Sequence, residues 1–391
     1  MKYNSLDFSH LIQSQKFIST LEASKFTMLS PSARKEKTIR ATDLDALSSR
    51  FSANKSHYFE PEDVYIQDLV SSYHKYLQYC EGYTQLSAGR TLRSVFNERK
   101  LPIINRGTYL RTRLIDLVLN EFIKKFGDCQ IVSLGGGSDT RFIHLLANHK
   151  QLKYHEIDFP ESTKIKKLAL LANSNIRNLL DLVDLPPTIT SKEEFANFSP
   201  NICTSRYNLM GMDLRKLSVE KLSTLFDSKL PTIVLSECVL CYLSPEENES
   251  IISVWKEWAS NFISFLIYEP MSLSDSFGST MSKNLIDRGI DLQSFAKYPT
   301  LKSRFEFLNK ICNLKNVRLT EMSHVGGFNV LSNQSRKPWL DENDIKRLNK
   351  LEFIDEVEEI RMLYEHYCLC YGDNSDSNIL SGLDKWEWSL T

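Results

Sequence analysis

Short apolar runs alternate with stretches of helical spacing through the middle of the chain. Each run is too short for a helix and is followed by polar residues, whereas between the runs apolar residues recur every three or four positions. This alternation is typical of strands joined by crossover helices, and it predicts an α/β fold with a parallel sheet. The predicted strands are 131–134, 154–157, 207–214, 232–237, 263–268 and 364–371.

The rest of the chain divides around this core. Aromatic residues crowd the segment 58–83, which we interpret as part of a helical cap. Thr42 is a favourable N-cap, with Asp43 in the first turn, for a helix that ends at Arg50. An amphipathic helix is predicted for 344–362. We therefore predict a mobile N-terminal arm, a helical cap, a main domain and a C-terminal tail with frayed last residues; these segments span 1–40, 41–104, 105–371 and 372–391, respectively.

One stretch carries a binding pattern. The predicted strand 131–134 leads directly into Gly135, Gly136 and Gly137, and a helical pattern follows. Glycine permits a sharp turn and a close approach of a ligand to the backbone, and the helix after it points N–H groups toward that ligand. The next strand ends at Asp158, about 20 residues on, where a carboxylate accepts hydrogen bonds from ribose hydroxyls. This order of elements predicts a cofactor that contains a nucleoside.

The third position of the glycine motif distinguishes between cofactors. A dinucleotide fingerprint needs glycine or alanine there, whereas this chain has Thr140, and Asp139 adds a negative charge where phosphates would lie. S-adenosylmethionine carries no phosphate and tolerates both residues. We therefore favour S-adenosylmethionine, with the alternative that the glycines form a turn that binds no ligand.

Four of the predicted strands end at acidic residues, namely Asp158, Asp213, Glu237 and Glu269. Ligands of parallel sheets bind at the carboxyl ends of the strands, so these acids predict a polar cleft along one edge of the sheet. Arg111 lies at the inward end of the apolar stripe of a helix predicted for 105–125. A guanidinium that faces inward needs an anionic partner, which is either a ligand or a structural ion pair.

Composition restricts the possible partners. The net charge of −1 provides no overall basic surface for nucleic acid. The sequence contains neither an apolar run of about 18 residues nor a signal-peptide pattern, so we expect a cytoplasmic monomer without membrane partners. Cys238 and Cys241 form a C-x-x-C pattern without a second pair or a nearby histidine. We therefore expect buried free thiols and no metal site.

Several separated motifs extend in a consistent order over 42–371. They are INRGTYLRT (104–112), IVSLGGGSDTR (131–141), YHEIDFP (154–160), GMDLRKL (211–217), PTIVLSECVLCYL (231–243), DSFGSTMSKNL (275–285) and LEFIDEVEEIRMLYEHYCLC (351–370). With these motifs the chain resembles the leucine carboxyl methyltransferases. The resemblance implies an α/β fold: the seven-stranded, Rossmann-like sheet of S-adenosylmethionine-dependent methyltransferases, with helices on both faces and a helical N-terminal cap.

The resemblance also implies an activity and a partner. Members of this family use S-adenosylmethionine to esterify the C-terminal leucine of the type 2A protein phosphatase catalytic subunit. One alternative is the related carboxyl methyltransferase of a hypermodified tRNA base, which carries a C-terminal propeller, but this sequence has no propeller repeat. The other alternative is a non-catalytic protein that keeps the fold as a scaffold for phosphatase assembly.

The family pattern implies a cofactor contact for several residues. Arg111 would hold the carboxylate of the cofactor, Gly135 would lie against its methionine portion, and Asp158 would bind its ribose. Asp213 and Leu214 would lie against the adenine. These residues come from four separate motifs, so the resemblance predicts a site that is assembled from distant parts of the chain.

Further residues complete the predicted site. Glu237 would lie at the amino end of the cofactor, Gly137 belongs to the same glycine turn as Gly135, and Arg50 stands where the family has a basic residue. Tyr242 is a candidate to orient the substrate carboxylate by a hydrogen bond, with plain packing as the alternative. Arg111 and Tyr242 are thus the candidate catalytic residues.

Overall fold

The computed structural model describes residues 31–97, 99–328, 337–354 and 357–391. Eight strands form one sheet. In chain order they are β1 (Gln130–Leu134), β2 (Lys153–Asp158), β3 (Ile202–Cys203), β4 (Tyr207–Gly211), β5 (Thr232–Glu237), β6 (Ile263–Pro270), β7 (Lys315–Glu321) and β8 (Tyr367–Asp373). Across the sheet the order is β3-β4-β2-β1-β5-β6-β8-β7.

Strand β1 lies in the interior of the sheet and pairs in parallel with β2 and β5. The parallel pairing continues to β4 on one side and to β6 on the other, whereas β8 runs antiparallel between β6 and β7. All five residues of β1 are buried, as expected for a strand covered on both faces. The predicted α/β fold is confirmed, and the strand beyond the expected seven is β3, which has two residues and pairs antiparallel with β4.

Helices form the cap and cover both faces of the sheet. The cap contains α1 (Pro31–Lys55), α2 (Ile66–Tyr76) and α3 (Gln85–Asn97), and α4 (Pro102–Phe126) leads into β1. The later helices are α5 (Arg141–Asn148), α6 (Pro160–Ala172), α7 (Ser174–Leu179), α8 (Lys192–Asn197), α9 (Val219–Leu225), α10 (Pro245–Trp258), α11 (Ser276–Asp287), α12 (Gln293–Lys297), α13 (Leu301–Glu306), α14 (Met322–Val325), α15 (Glu342–Leu351) and α16 (Val357–Glu365). In the parts of the chain that the structure describes, no helix is long and apolar enough to cross a membrane.

Alternate residues of the strands enter two separate apolar cores. Ile131 of β1 belongs to one buried cluster and Val132 to the other, because successive side chains of a strand point to opposite faces. The first cluster includes the inner stripe of α4, with Ile115, Val118 and Phe122 at 0% exposure. Because this stripe is packed against the sheet, α4 holds Arg111 near the carboxyl ends of the strands.

The N-terminal helix differs from the prediction. We predicted a mobile arm up to residue 40 and a helix that starts at Thr42, but α1 begins at Pro31 and continues to Lys55. Thr42 therefore lies inside the helix instead of capping it. Arg40 is paired with Glu161 of α6 at 3.0 Å, and such a contact with a distant segment is not visible in a local hydrophobic pattern. The rest of the predicted arm lies outside the described residues.

The C-terminal region also differs from the prediction. Two helices, α15 and α16, replace the single helix predicted for 344–362. The prediction of frayed last residues is wrong, because the backbone of Leu390 pairs with that of Leu319 in β7 at 2.8 and 3.0 Å, and Leu380 and Leu383 are 1% and 0% exposed. Trp386 stacks on Trp339, with ring centroids 4.9 Å apart. The tail is therefore packed against the main domain by apolar residues that are too widely spaced to predict a regular element.

Candidate active site

The glycine turn lies directly after β1, at the carboxyl edge of the sheet. Gly135 and Gly137 have φ angles of +62° and +41°, a region that residues with a side chain rarely adopt. A Cβ on Gly135 would lie 2.4 Å from Cγ2 of Val239, which is far inside van der Waals contact. The turn therefore requires glycine both for its backbone conformation and for the space that Val239 leaves.

Two carboxylates hold adjacent amides of this turn. Asp158, the last residue of β2, accepts a hydrogen bond from the amide of Gly137 at 2.6 Å. Asp43 of α1 accepts bonds from the amide and the hydroxyl of Ser138, both at 2.8 Å, and from the hydroxyl of Tyr73. The turn is thus fixed from the sheet by one acid and from the cap by the other.

The environment of Asp158 changes its acidity. Burial raises the pKa of Asp158 to about 6, and the negative charge of Asp43 contributes to the same increase. Hydrogen bonds from the amides of Gly137 and Phe159 and the positive charge of Lys166 act in the opposite direction. Asp158 therefore titrates closer to neutral pH than an ordinary aspartate.

Glu237, the last residue of β5, joins two arginines. One carboxylate oxygen accepts a hydrogen bond from Nε of Arg111, and the other accepts one from Nη2 of Arg141 at 2.9 Å. The guanidinium of Arg111 also lies 5.2 Å from the ring centroid of Tyr268, a favourable distance for a cation–π contact. The structure therefore brings together Arg111 and Glu237, which the sequence analysis placed at the two ends of one cofactor moiety.

A chain of charges connects this pair to the cap. Asp139, at the start of α5, is paired with Arg141 at 2.9 Å and with Arg50 of α1 at 3.2 Å. Arg50 is also paired with Asp63 at 3.1 Å. Since Arg141 reaches Glu237 as well, alternating charges extend from the cap to the end of β5. This arrangement joins Arg50 to Asp139, two residues after the glycine turn.

Asp213 and Leu214 lie just beyond the end of β4. The amide of Met212 donates to the carbonyl of Asp158 at 2.8 Å, so this segment lies at the same edge of the sheet as the ribose candidate. The carboxylate of Asp213 accepts bonds from Nε and Nη2 of Arg215, at 2.9 and 2.7 Å. Leu214 is partly buried against the second apolar core, and this leaves it at the rim of the site.

Tyr242 lies in a short helical turn after β5 (Leu240–Tyr242). Its ring packs against an apolar cluster that includes Ile290, Leu292 and Phe295. Burial raises the pKa of Tyr242 well above its ordinary value, and the neighbouring side chain of Thr42 in α1 acts in the opposite direction. Tyr242 therefore combines a packed ring with a hydroxyl directed to the cap side of the site.

Glu269 does not join the other predicted acids. Its neighbour Tyr268 faces Arg111, so Glu269 points to the opposite face of β6. There it is 2% exposed, lies 3.4 Å from Nη1 of Arg304, and accepts the amide of Cys241 at 2.8 Å. The prediction that all four acids line one cleft is therefore wrong for Glu269, which instead supports the turn after β5.

The cysteines of the C-x-x-C pattern are free thiols. Cys241 is buried and Cys238 is half-buried, and burial raises the pKa of Cys238 to about 12. Among the described residues, no group of three or more histidines, cysteines or acids is arranged to hold a metal ion.

Sequence analysis missed two residues of this site. Asp43 was interpreted as an ordinary first-turn acid, although it binds Ser138 across 95 positions of the chain. Arg141 was not singled out, although its side chain is only 3% exposed and is paired with both Asp139 and Glu237. A buried charge indicates a site only when its partner is known. The partners Ser138 of Asp43 and Glu237 of Arg141 belong to distant segments, which a local sequence pattern does not bring together.

Comparison with known proteins gives a consistent result. The family model for leucine carboxyl methyltransferase matches residues 38–255. Relatives named leucine carboxyl methyltransferase 1 from Candida albicans and Debaryomyces hansenii are 53% and 52% identical, and each match covers 93% of this chain and 100% of the relative. The Yarrowia lipolytica relative of the same name is 34% identical over 87% of this chain and 98% of its own. A solved S-adenosylmethionine-dependent methyltransferase from Archaeoglobus fulgidus overlaps 67% of this chain and 94% of its own, with 15% identity and a TM-score of 0.34.

The strand order, the glycine turn and the acid at the end of β2 define a Rossmann-like methyltransferase. The chain belongs to the leucine carboxyl methyltransferase family. The predicted enzyme class is therefore confirmed, as is the predicted cofactor, S-adenosylmethionine, which this family uses. The alternative of a non-catalytic scaffold does not agree with this membership.

Proposed function

We propose that the protein methylates the α-carboxylate of the C-terminal leucine of the type 2A protein phosphatase catalytic subunit. Membership of the leucine carboxyl methyltransferase family supports the acceptor, and the contact between Arg111 and Glu237 at the carboxyl edge of the sheet supports the cofactor site. The methionine portion of the cofactor has one carboxylate and one ammonium group. A neighbouring guanidinium and carboxylate are complementary to both, so Arg111 would bind the former and Glu237 the latter.

The remaining groups of the site fit the other parts of the cofactor. Asp158 accepts one backbone amide on each oxygen, and a carboxylate keeps further lone pairs for the two ribose hydroxyls. Gly135 and Gly137 let the cofactor approach the backbone without interference from side chains. Asp213 and Leu214 would contact the adenine at the edge next to Asp158.

Arg50 has a supporting role in this proposal. It lies between Asp63 and Asp139, so it neutralises the acid at the start of α5 and holds the cap against the cofactor side of the site. Asp139 is partly buried and shares its charge between Arg50 and Arg141, at 3.2 and 2.9 Å. Arg50 therefore acts next to the cofactor and connects the cap to it.

The chemistry needs little from the protein beyond alignment. When bound, S-adenosylmethionine supplies a methyl group on a positively charged sulfur. A C-terminal carboxylate has a pKa of about 3.3–3.7 and is already ionised at neutral pH, so no general base is required. The raised pKa of Tyr242 keeps its hydroxyl protonated, and a protonated hydroxyl can donate a hydrogen bond that orients the acceptor carboxylate. Arg111 is engaged by Glu237 and would stay with the cofactor.

Cofactor affinity is expected to depend on pH through Asp158. The ionised carboxylate accepts ribose hydroxyls, and protonation removes one acceptor site. Since the pKa of Asp158 is raised to about 6, affinity for S-adenosylhomocysteine should be highest above pH 7. It should fall about tenfold between pH 8 and pH 5, since each unit below the pKa costs about tenfold. Isothermal titration calorimetry across this range measures the effect.

An Asp158→Asn variant is the control for this pH profile. Its affinity should be lower at pH 8 and should change little down to pH 5, because an amide does not titrate. Glu156, which lies beneath the turn and is paired with Lys166 at 2.8 Å, has a pKa that burial raises to about 7. If the variant keeps the full pH dependence, Glu156 and not Asp158 controls it.

The acceptor is tested by transfer of label from the cofactor. Incubation with labelled S-adenosylmethionine and the phosphatase catalytic subunit should place an alkali-labile methyl ester on the terminal leucine, and a subunit without that leucine should remain unlabelled. Equal labelling of both subunits, or label that survives mild base, would refute the proposal. Transfer to tRNA instead of the phosphatase would favour the modified-base alternative.

A cytoplasmic location and a monomeric state, expected from the sequence, remain part of this proposal. Size-exclusion chromatography with light scattering would test the second, because a monomer has a mass of 45.2 kDa.

A further inference from the structure

We propose that Asp43 is a positioning residue that holds the glycine turn in its cofactor-binding shape, so that the docking of α1 is a condition for cofactor binding. This inference rests on the cofactor site proposed above. In that proposal Asp43 does not contact the cofactor. It acts on the cofactor through the backbone of Gly137 and Ser138, which belong to the glycine turn.

Asp43 contacts the turn at three points. Its Oδ1 accepts the amide of Ser138 at 2.8 Å, and its Oδ2 accepts the hydroxyl of the same residue at 2.8 Å. A Cβ on Gly137 would lie 2.4 Å from Oδ1 of Asp43, so the carboxylate fills the space where a side chain would be. Gly137 is therefore needed both for its φ angle of +41° and because Asp43 approaches so closely.

Asp158 and Asp43 each hold a different amide of the turn. Asp158 belongs to β2 and holds the amide of Gly137, whereas the next amide, that of Ser138, is held by Asp43 from the cap. Two carboxylates on adjacent amides repel each other, and the charge of Asp43 adds to the larger increase that burial causes in the pKa of Asp158. Tyr73 of α2 donates its hydroxyl to Asp43 and so offsets part of this repulsion from a second cap helix.

Neighbouring residues of α1 reach other parts of the site. The side chain of Thr42 lies next to Tyr242, Asp45 is paired with Arg288 at 2.6 Å just after α11, and Arg50 is paired with Asp139. The segment 42–50 of α1 therefore contacts the cofactor turn, the candidate substrate-orienting tyrosine and the end of α11 at once. Among the residues of this segment, Asp43 is the one that holds an amide of the glycine turn.

Two substitutions separate the geometry of Asp43 from its charge. Asp43→Ala removes all the contacts with Ser138 and Tyr73, so the turn should sample other conformations. Asp43→Asn keeps the carbonyl oxygen that accepts the amide of Ser138, and its NH2 group can donate to both hydroxyls. Alanine should therefore disturb the turn, whereas asparagine should preserve it.

The control variant is Asp68→Ala. Asp68 of α2 accepts a hydrogen bond from Nδ2 of Asn173 at 2.7 Å, so it also joins the cap to the main domain, but at the start of α7 and away from the turn. A loss of cap docking in general would appear in this variant as well. An effect that is specific to the glycine turn would be absent from Asp68→Ala.

Calorimetry with S-adenosylhomocysteine and steady-state kinetics test the inference. Asp43→Ala should weaken binding about tenfold, as expected if the competent turn is populated about one-tenth of the time. It should raise KM for S-adenosylmethionine by a similar factor while kcat at saturating cofactor stays within about twofold. Asp43→Asn and Asp68→Ala should both bind within about threefold of the unmodified protein, and amide hydrogen exchange at Ser138 should accelerate in the alanine variant only.

The outcomes distinguish this inference from the proposed function. If the unmodified protein does not bind S-adenosylhomocysteine, the cofactor site itself is wrong. If it binds, and a folded Asp43→Ala variant binds equally well, the positioning role of Asp43 is overturned. Equal losses in Asp43→Ala and Asp68→Ala would also overturn it, because they would show a general effect of cap docking.

Discussion

Replacing Gly135 with alanine is expected to weaken the binding of S-adenosylhomocysteine and to lower kcat/KM for S-adenosylmethionine at least about a hundredfold, the loss of rate typical of a displacement of about 1 Å in an active site. Gly135 has a φ angle of +62°, and a Cβ there would lie 2.4 Å from Cγ2 of Val239. The variant must change the turn or displace Val239, which stands two residues after Glu237. Either movement disturbs the place where the methionine portion of the cofactor would bind.

The same variant should lose about 1–3 kcal/mol of unfolding free energy, the usual cost of a strained backbone conformation. Gly89→Ala is the matched control, because a Cβ on this helical residue would approach its nearest neighbour, Nη1 of Arg93, no closer than 3.5 Å. The control should gain about 0.5–1 kcal/mol and bind normally. Calorimetry and urea denaturation measure both quantities. Normal binding by folded Gly135→Ala would show that the turn does not contact the cofactor.

Replacing Arg111 with alanine is expected to reduce kcat/KM for the cofactor about tenfold to a hundredfold, the worth of hydrogen bonds to a charged group. The protein should nevertheless remain folded, because Glu237 keeps its second partner, Arg141, at 2.9 Å. The side chain of Arg111 is 26% exposed, so its removal leaves no sealed cavity. Label transfer at varied cofactor concentration gives kcat/KM, and thermal unfolding gives the stability.

Arg141→Ala provides the contrast within the same cluster. Its side chain is 3% exposed and is paired with both Asp139 and Glu237, so its removal takes a buried positive charge from between these two carboxylates, which keep only Arg50 and Arg111 as partners. Breaking a buried ion pair in this way costs about 3–5 kcal/mol. We therefore expect Arg141→Ala to lose stability first and Arg111→Ala to lose activity first. If Arg111→Ala unfolds as readily as Arg141→Ala, Arg111 is a structural ion pair, the alternative that its spacing left open.

Several features of the fold follow from local sequence. The apolar runs at β1 and β5 are buried on both faces, so each is nearly continuous and easy to recognise. Gly135 and Asp158 were placed correctly at the carboxyl edge because their positions depend on the order of neighbouring elements. The limits of α4 were close to the prediction, since an amphipathic stripe defines them.

Other features depended on contacts between distant segments. Arg40 of α1 is held by Glu161, and the tail is held by stacking of Trp386 on Trp339. These contacts join segments that are far apart in the sequence. Local periodicity does not show them, so it predicted a mobile N-terminal arm and frayed last residues. The prediction for Glu269 was wrong for a related reason. Successive side chains of a strand point to opposite faces of the sheet, so a shift of one position along β6 decides which face the acid occupies.

The sequence by itself determined the fold class, the family and the identity of the cofactor turn, because each is written in runs of neighbouring residues. Only the tertiary structure decided which charges meet. It placed Asp43 of the cap on Ser138 and brought Arg111, Arg141 and Glu237 together from three elements. A buried charge is stable only beside its partner, and the partner of each of these charges is supplied by another part of the chain.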